Sequence, residues 1–117
     1  MLYMKYCIVA AFAIFGLAAC FTAKKKGFVI ADSKSYETSM FRQNCAICHG
    51  PEADGKILDN GTKVPSLREG EFKFKTEEEI FKQITDGGNG MTPFRGQLTD
   101  RERHMMAAFV FHDLRGN

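Results

Sequence analysis

Cys45-Ala46-Ile47-Cys48-His49 puts two thiols and an imidazole within five consecutive residues. On a helical turn, positions i and i+3 share a face. Both sulfurs can then reach one edge of a flat macrocycle while the adjacent imidazole lies under its centre. Two cysteines in this spacing followed by histidine form the attachment pattern of a c-type haem. The pattern predicts one haem c held by thioethers on Cys45 and Cys48, with His49 as an axial ligand to the iron. Other chemistries ask for residues that the chain does not supply. A structural zinc site wants four ligands, and no second cysteine pair completes one beyond the N-terminal segment. A redox dithiol of the thioredoxin kind would follow a strand, whereas the residues before Cys45 read as a helix.

The opposite axial position must be filled from well downstream, because the ring separates it from the attachment helix. Met91, Met105, Met106, His104 and His112 carry suitable atoms. Met91 lies in Gly88-Asn-Gly-Met-Thr-Pro-Phe94, an irregular stretch between two helices, where Pro93 stiffens the chain just beyond the sulfur. Met105 and Met106 fall in the apolar stripe of a helix, the usual place of core methionines. His104 and His112 flank that stripe and are expected in solvent.

Three helices position these groups. The first spans about 35–44, with Tyr36, Met40 and Phe41 on one face. The second starts at a Thr76-to-Glu79 capping box, turns Ile80, Phe81 and Ile84 inward and stops at Gly87-Gly88. The third starts at a Thr99-to-Glu102 capping box, and its stripe runs through Met105, Met106, Phe109, Val110 and Leu114. Residues 50–75 read as one long loop without strand signals, a length that a compact domain tolerates when it is draped over a bound group.

The N-terminus reads as an export signal. Lys5 precedes an apolar run from Cys7 to Gly16, and Leu17-Ala18-Ala19-Cys20 closes it. Small residues before a cysteine resemble the lipobox of bacterial lipoproteins, which implies cleavage before Cys20 and a lipid on its sulfur. An uncleaved anchor is the alternative. The apolar stretch 6–23 is short for a span of about 20 residues, and Lys24-Lys25-Lys26 on its outer flank opposes the positive-inside rule. The chain thus divides into a signal peptide (1–19), a lipidated tether (20–34) and a haem domain (35–117), membrane-anchored on the extracytoplasmic, periplasmic side. The net charge of +2 falls toward neutrality once Lys5 leaves. The one basic run lacks interleaved aromatics and gives no basis for nucleic-acid binding.

Cys-x-x-Cys-His near the start, Pro65-Ser66-Leu67 in the following loop, the glycine-rich Met91-Thr-Pro-Phe94 segment and an amphipathic last helix together resemble the class I c-type cytochromes. The resemblance covers 36–114. It implies a small all-α fold of about three main helices with long loops wrapped around one haem, and His49 and Met91 as the axial pair. It also implies that Pro65 directs its carbonyl to the outer N–H of His49, and that Leu67 and Phe94 pack on the porphyrin. The first and last helices should cross near 38–40 and 108–109. The family usually has glycine or alanine where Thr38 stands, and Met-Pro where this chain has Met91-Thr92-Pro93.

A centre with both axial positions filled has no place for substrate, and the resemblance implies a one-electron carrier, not an enzyme, that meets redox proteins in transient contacts. The rival is a gas sensor or peroxidase-like enzyme with an open sixth position. A second rival is a haem subunit that works only inside a larger membrane complex.

Overall fold

The computed structural model describes residues 27–117; the signal segment, Cys20 and the lysine run lie outside the described residues. Helix α1 (Tyr36–Asn44) begins at Ser35, whose hydroxyl accepts from the Thr38 N–H, and Phe41 and Met40 go to the core. The four-residue α2 (Ala46–His49) follows after a break at Cys45, which closes α1 and opens α2. Helix α3 (Glu77–Asp86) and helix α4 (Asp100–Ala108) both start at the expected boxes. In each, the threonine oxygen takes the N–H of the glutamate three residues on, and that carboxylate takes the threonine N–H. A cap contributes about 1 kcal/mol and a buried phenylalanine about 2–3 kcal/mol. The caps therefore decide where these helices begin, while the core decides that they form.

The last helix does not stay α-helical. From Phe109 to Leu114 it widens to a π-helix, with the Phe109 N–H reaching both the Met105 and Met106 carbonyls. Phe109 and Val110 remain buried in it, so the expected apolar stripe holds through the change of pitch. Phe41 of α1 meets Phe109 with ring centroids 6.1 Å apart, and Tyr36 Oη donates to Glu102 at 2.6 Å, so the first and last helices do pack on one another. Thr38 is fully buried beneath this contact. Its hydroxyl lies 2.9 Å from the Ser35 carbonyl and is satisfied by its own helix start.

One expectation is corrected. The loop 50–75 contains a small antiparallel hairpin, β1 (Lys56–Ile57) with β2 (Lys63–Val64), paired Lys56 to Val64 and Ile57 to Lys63. Its turn is built at Asn60-Gly61, where Asn60 Oδ1 accepts from the Thr62 N–H. The apolar residues Phe28 and Ile30 pack on the helical domain. Ile30 is fully buried in the core and Phe28 packs edge-on against Phe109 at 5.4 Å.

Charged side chains hold this leading segment. The Glu52 carboxylate accepts the Ile30 and Ala31 N–H groups at 2.8 Å each, Arg68 donates to the Phe28 carbonyl at 2.6 Å, and Arg42 donates to the Ile30 carbonyl at 2.8 Å. The backbone of 28–31 thereby keeps its hydrogen bonds as it enters the core, which an irregular strand must do.

Candidate haem site

The attachment residues are set by the joint between α1 and α2. Cys45 is half-buried against the core, Cys48 is exposed, and both thiols are free. Burial, then the neighbouring Cys48, pushes the Cys45 thiol up to about 12. A dithiol catalyst needs a stabilised thiolate, so this environment speaks against the redox-dithiol chemistry. Among the described residues no group of three or more His, Cys, Asp or Glu is placed to hold a bare metal ion, which leaves the zinc alternative without ligands.

His49 Nδ1 is buried and has no hydrogen-bond partner, and burial holds the imidazole below the ordinary histidine value. The neutral ring is the ligating form. The expected carbonyl contact from Pro65 is not made, since Nδ1 is unpartnered. Pro65 is nevertheless brought close along the backbone. The Gly55 N–H donates to the His49 carbonyl at 3.0 Å. A Cβ on Gly55 would lie 2.6 Å from the Val64 carbonyl oxygen and 3.0 Å from the Pro65 carbonyl carbon, so only glycine lets the two stretches touch. Leu67 is tied to the same unit through its N–H to the Ala53 carbonyl.

Met91 sits on the far loop, half-buried against the core. Its N–H and carbonyl are both paired with Gly88 at 2.9 Å. Gly87 brings the end of α3 against the next turn, where a Cβ would stand 2.6 Å from Pro93 N. Phe94 is buried, and its N–H donates to the Ile84 carbonyl at 3.0 Å. Gln83 Nε2 lies 3.7 Å from Met91 Sδ and 3.0 Å from the Gly88 carbonyl. The sequence argument passed over Gln83, whose only signal is its place on the turn of α3 nearest the methionine loop.

The other four candidates for the distal position are engaged elsewhere. Met106 is a core side chain. Met105 lines a cleft of about 500 Å³ between α1 and α4 with Tyr36, Glu37, Thr99, Arg101 and Glu102. His104 stacks on Phe81 at 3.8 Å with the rings nearly parallel. Both ring nitrogens of His112 are within hydrogen-bond distance of oxygen, Glu77 Oε2 at 3.2 Å and the Asn117 carbonyl at 3.0 Å. Arg95, the one group near Met91 that a peroxidase-like site could use, is 69% exposed and paired with Asp86.

These residues fit a covalently held haem. Two free thiols and a neutral imidazole with an orphaned buried nitrogen stand on one short helix and its N-cap. Cys45, Ala46, Leu67, Phe74, Phe81 and Met91 all pack against the core yet stay incompletely covered, as the rim around a flat apolar ring must be. Attachment helix, Pro-x-Leu loop, methionine loop and paired terminal helices are the parts of a c-type cytochrome.

Comparison with known proteins bears this out. Residues 38–110 match the family described as cytochrome C oxidase, cbb3-type, subunit III, and the chain belongs to that family. It is 32% identical over 71 residues to cytochrome c6 of Parathermosynechococcus lividus, covering 61% of this chain and 79% of that protein. Over 101 residues it is 30% identical to cytochrome c6 of Gracilaria tenuistipitata var. liui, covering 86% and 91%. Cytochrome c6 of a Nostoc species is 32% identical over 98 residues, covering 83% and 85%. No solved structure matches the chain. The protein is a small class I monohaem cytochrome that binds one haem c covalently, and it carries electrons and is not an enzyme.

Proposed function

We propose that Cys45 and Cys48 carry the haem as thioethers, that His49 and Met91 are the axial ligands, and that Leu67 and Phe94 pack on the ring, with Pro65 closing the loop beside His49. Bound haem c supplies a one-electron couple. The chain's residues supply a thioether sulfur, which favours the ferrous state and raises the potential, and they fill both axial positions so that no substrate enters. The observation that carries this reading is that, of the five candidates, only Met91 stands on a loop between two helices, half-buried at the edge of the core. The exposure of Arg95 weakens the gas-sensor and peroxidase reading.

Gln83 tunes this ligand. A hydrogen bond to sulfur draws density away from ferric iron and so favours the ferrous form. A net bond of about 1 kcal/mol corresponds to about 40 mV for one electron. Gln83→Leu should therefore lower the midpoint potential by about that amount. An unchanged potential in a spectroelectrochemical titration would mean that Gln83 serves only the Gly88 carbonyl.

The carrier works at a membrane, tethered through lipid on Cys20 with its domain on the extracytoplasmic side, and it exchanges electrons with redox proteins in brief contacts. Support comes from the Leu17-Ala-Ala-Cys20 pattern. Tethering confines the search for partners to a surface and raises their effective concentration. Cys20→Ser should move the haem-bearing protein from the membrane to the soluble extracytoplasmic fraction. Retention in the membrane would show that residues 6–23 remain as an uncleaved anchor. The family description favours a second reading as the haem subunit of an oxidase. Detergent purification distinguishes the two, since an obligate subunit brings its partners in fixed stoichiometry and an exchangeable carrier comes alone.

A further inference from the structure

Helix α4 buries a charge that the apolar stripe does not call for. Arg103 shares the inward face of the last helix with Met106, Ala107 and Val110, and its side chain is only 8% exposed. Burying a guanidinium is costly unless its N–H groups are satisfied; here the two terminal nitrogens converge on one short stretch of chain, while Nε is buried without a partner. Nη1 donates to the Leu98 carbonyl at 2.8 Å and to the Arg95 carbonyl at 3.0 Å, and Nη2 pairs with Asp100 Oδ1 at 2.8 Å. The guanidinium stands 5.8 Å from the centre of the Phe81 ring.

The carbonyls it grips belong to the turn that follows Met91. That turn is otherwise fixed to α3 by the Phe94 N–H on the Ile84 carbonyl, by the Gly87–Pro93 approach and by the exposed Arg95–Asp86 pair. Arg103 is its only side-chain hydrogen-bond donor from α4 among the described residues. We infer that Arg103 is a positioning residue for the distal ligand, clamping 95–98 to α4 so that Met91 stays seated on the iron. It does not touch the iron; it acts by making displacement of the loop cost two hydrogen bonds, one buried and one part-buried. The inference rests on the assignment of Met91 as the distal ligand.

The readout is the apparent affinity of the ferric holoprotein for cyanide, which binds only while the methionine is off. Apparent affinity scales with the fraction of molecules in that open state. Arg103→Met keeps the bulk of the side chain and removes the charge, and the carboxylate it leaves, on Asp100, is 73% exposed and returns to water instead of staying buried and unpaired. The expected result is cyanide binding at least tenfold tighter than in the parent, with the thermal midpoint of the holoprotein largely kept. Arg103→Lys, which retains charge but lacks the fork that reaches the carbonyls through Nη1 and Asp100 through Nη2, should fall between parent and Arg103→Met. It keeps the test open should Arg103→Met fail to assemble.

A folded variant with parental cyanide affinity would overturn the clamp, leaving Arg103 a merely structural residue. A parent that lacks the methionine–iron charge-transfer band would overturn it differently, by removing the ligand that it holds. The two failures are told apart because one appears only in the variants and the other in the unaltered protein.

Discussion

Met91→Ala should convert a closed, low-spin haem into an open one. The ferric charge-transfer band in the red should vanish, and the reduced protein should bind carbon monoxide, which the parent should refuse. The midpoint potential should fall by on the order of 0.1–0.2 V, within the roughly 0.8 V that axial ligation commands. The size of the effect follows from the lack of a substitute. Met105 faces the α1–α4 cleft, Met106 is enclosed in the core, His104 is stacked on Phe81, and His112 is held between Glu77 and the chain end. Met106, His104 and His112 would have to give up those contacts to serve as a ligand. A variant that kept the band and the potential would show that the sixth ligand is another residue, and Met105 would be examined first as the least enclosed of the four.

Cys45→Ser with Cys48→Ser should lose the haem and, with it, most of the fold. The described helices are short, nine or ten residues for the three main ones, and the loop between α2 and α3 has only a two-residue hairpin of its own. Isolated helices of such length are marginal in water, and a core drawn from about eighty residues is small. Leu67, Phe74, Phe81 and Met91 are only partly buried by the polypeptide, and a bound apolar ring would add to the core they belong to. The double variant should show weak far-ultraviolet helical dichroism and no cooperative thermal transition. A native-like spectrum with a sharp transition would mean that the polypeptide core suffices by itself.

Much of this architecture was written in local signals. The two threonine–glutamate boxes located the starts of α3 and α4 to the residue, because a cap is a contact within four consecutive positions. Cys45 to His49 needed no tertiary information either. The hairpin was missed although Asn60-Gly61 is a strong turn signal, since strands of two residues carry no periodicity. The apolar triplet 28–30 is too short to settle its own packing, and its docking depends on Glu52, Arg68 and Arg42, which lie 12 to 40 positions from the groups they hold and which only the fold brings together. Arg103 was legible in hindsight. A charge at i with Met106, Ala107 and Val110 at i+3, i+4 and i+7 marks a buried polar anchor in an apolar stripe. The partners of that anchor, the carbonyls of Arg95 and Leu98, leave no trace in the sequence because any residue type could supply them. The shift to π geometry at Phe109 likewise has no local signature in the apolar pattern.

The central claim is that the iron is six-coordinate through His49 and Met91 and therefore moves electrons only. The absorption spectrum of the purified, unaltered holoprotein, ferric and then reduced under carbon monoxide, tests it most directly. The account predicts a low-spin ferric spectrum with a weak red sulfur-to-iron band, and a reduced spectrum that carbon monoxide leaves unchanged. A high-spin ferric spectrum with prompt carbon monoxide binding would contradict it, placing the protein among open haem sites that bind gas or peroxide.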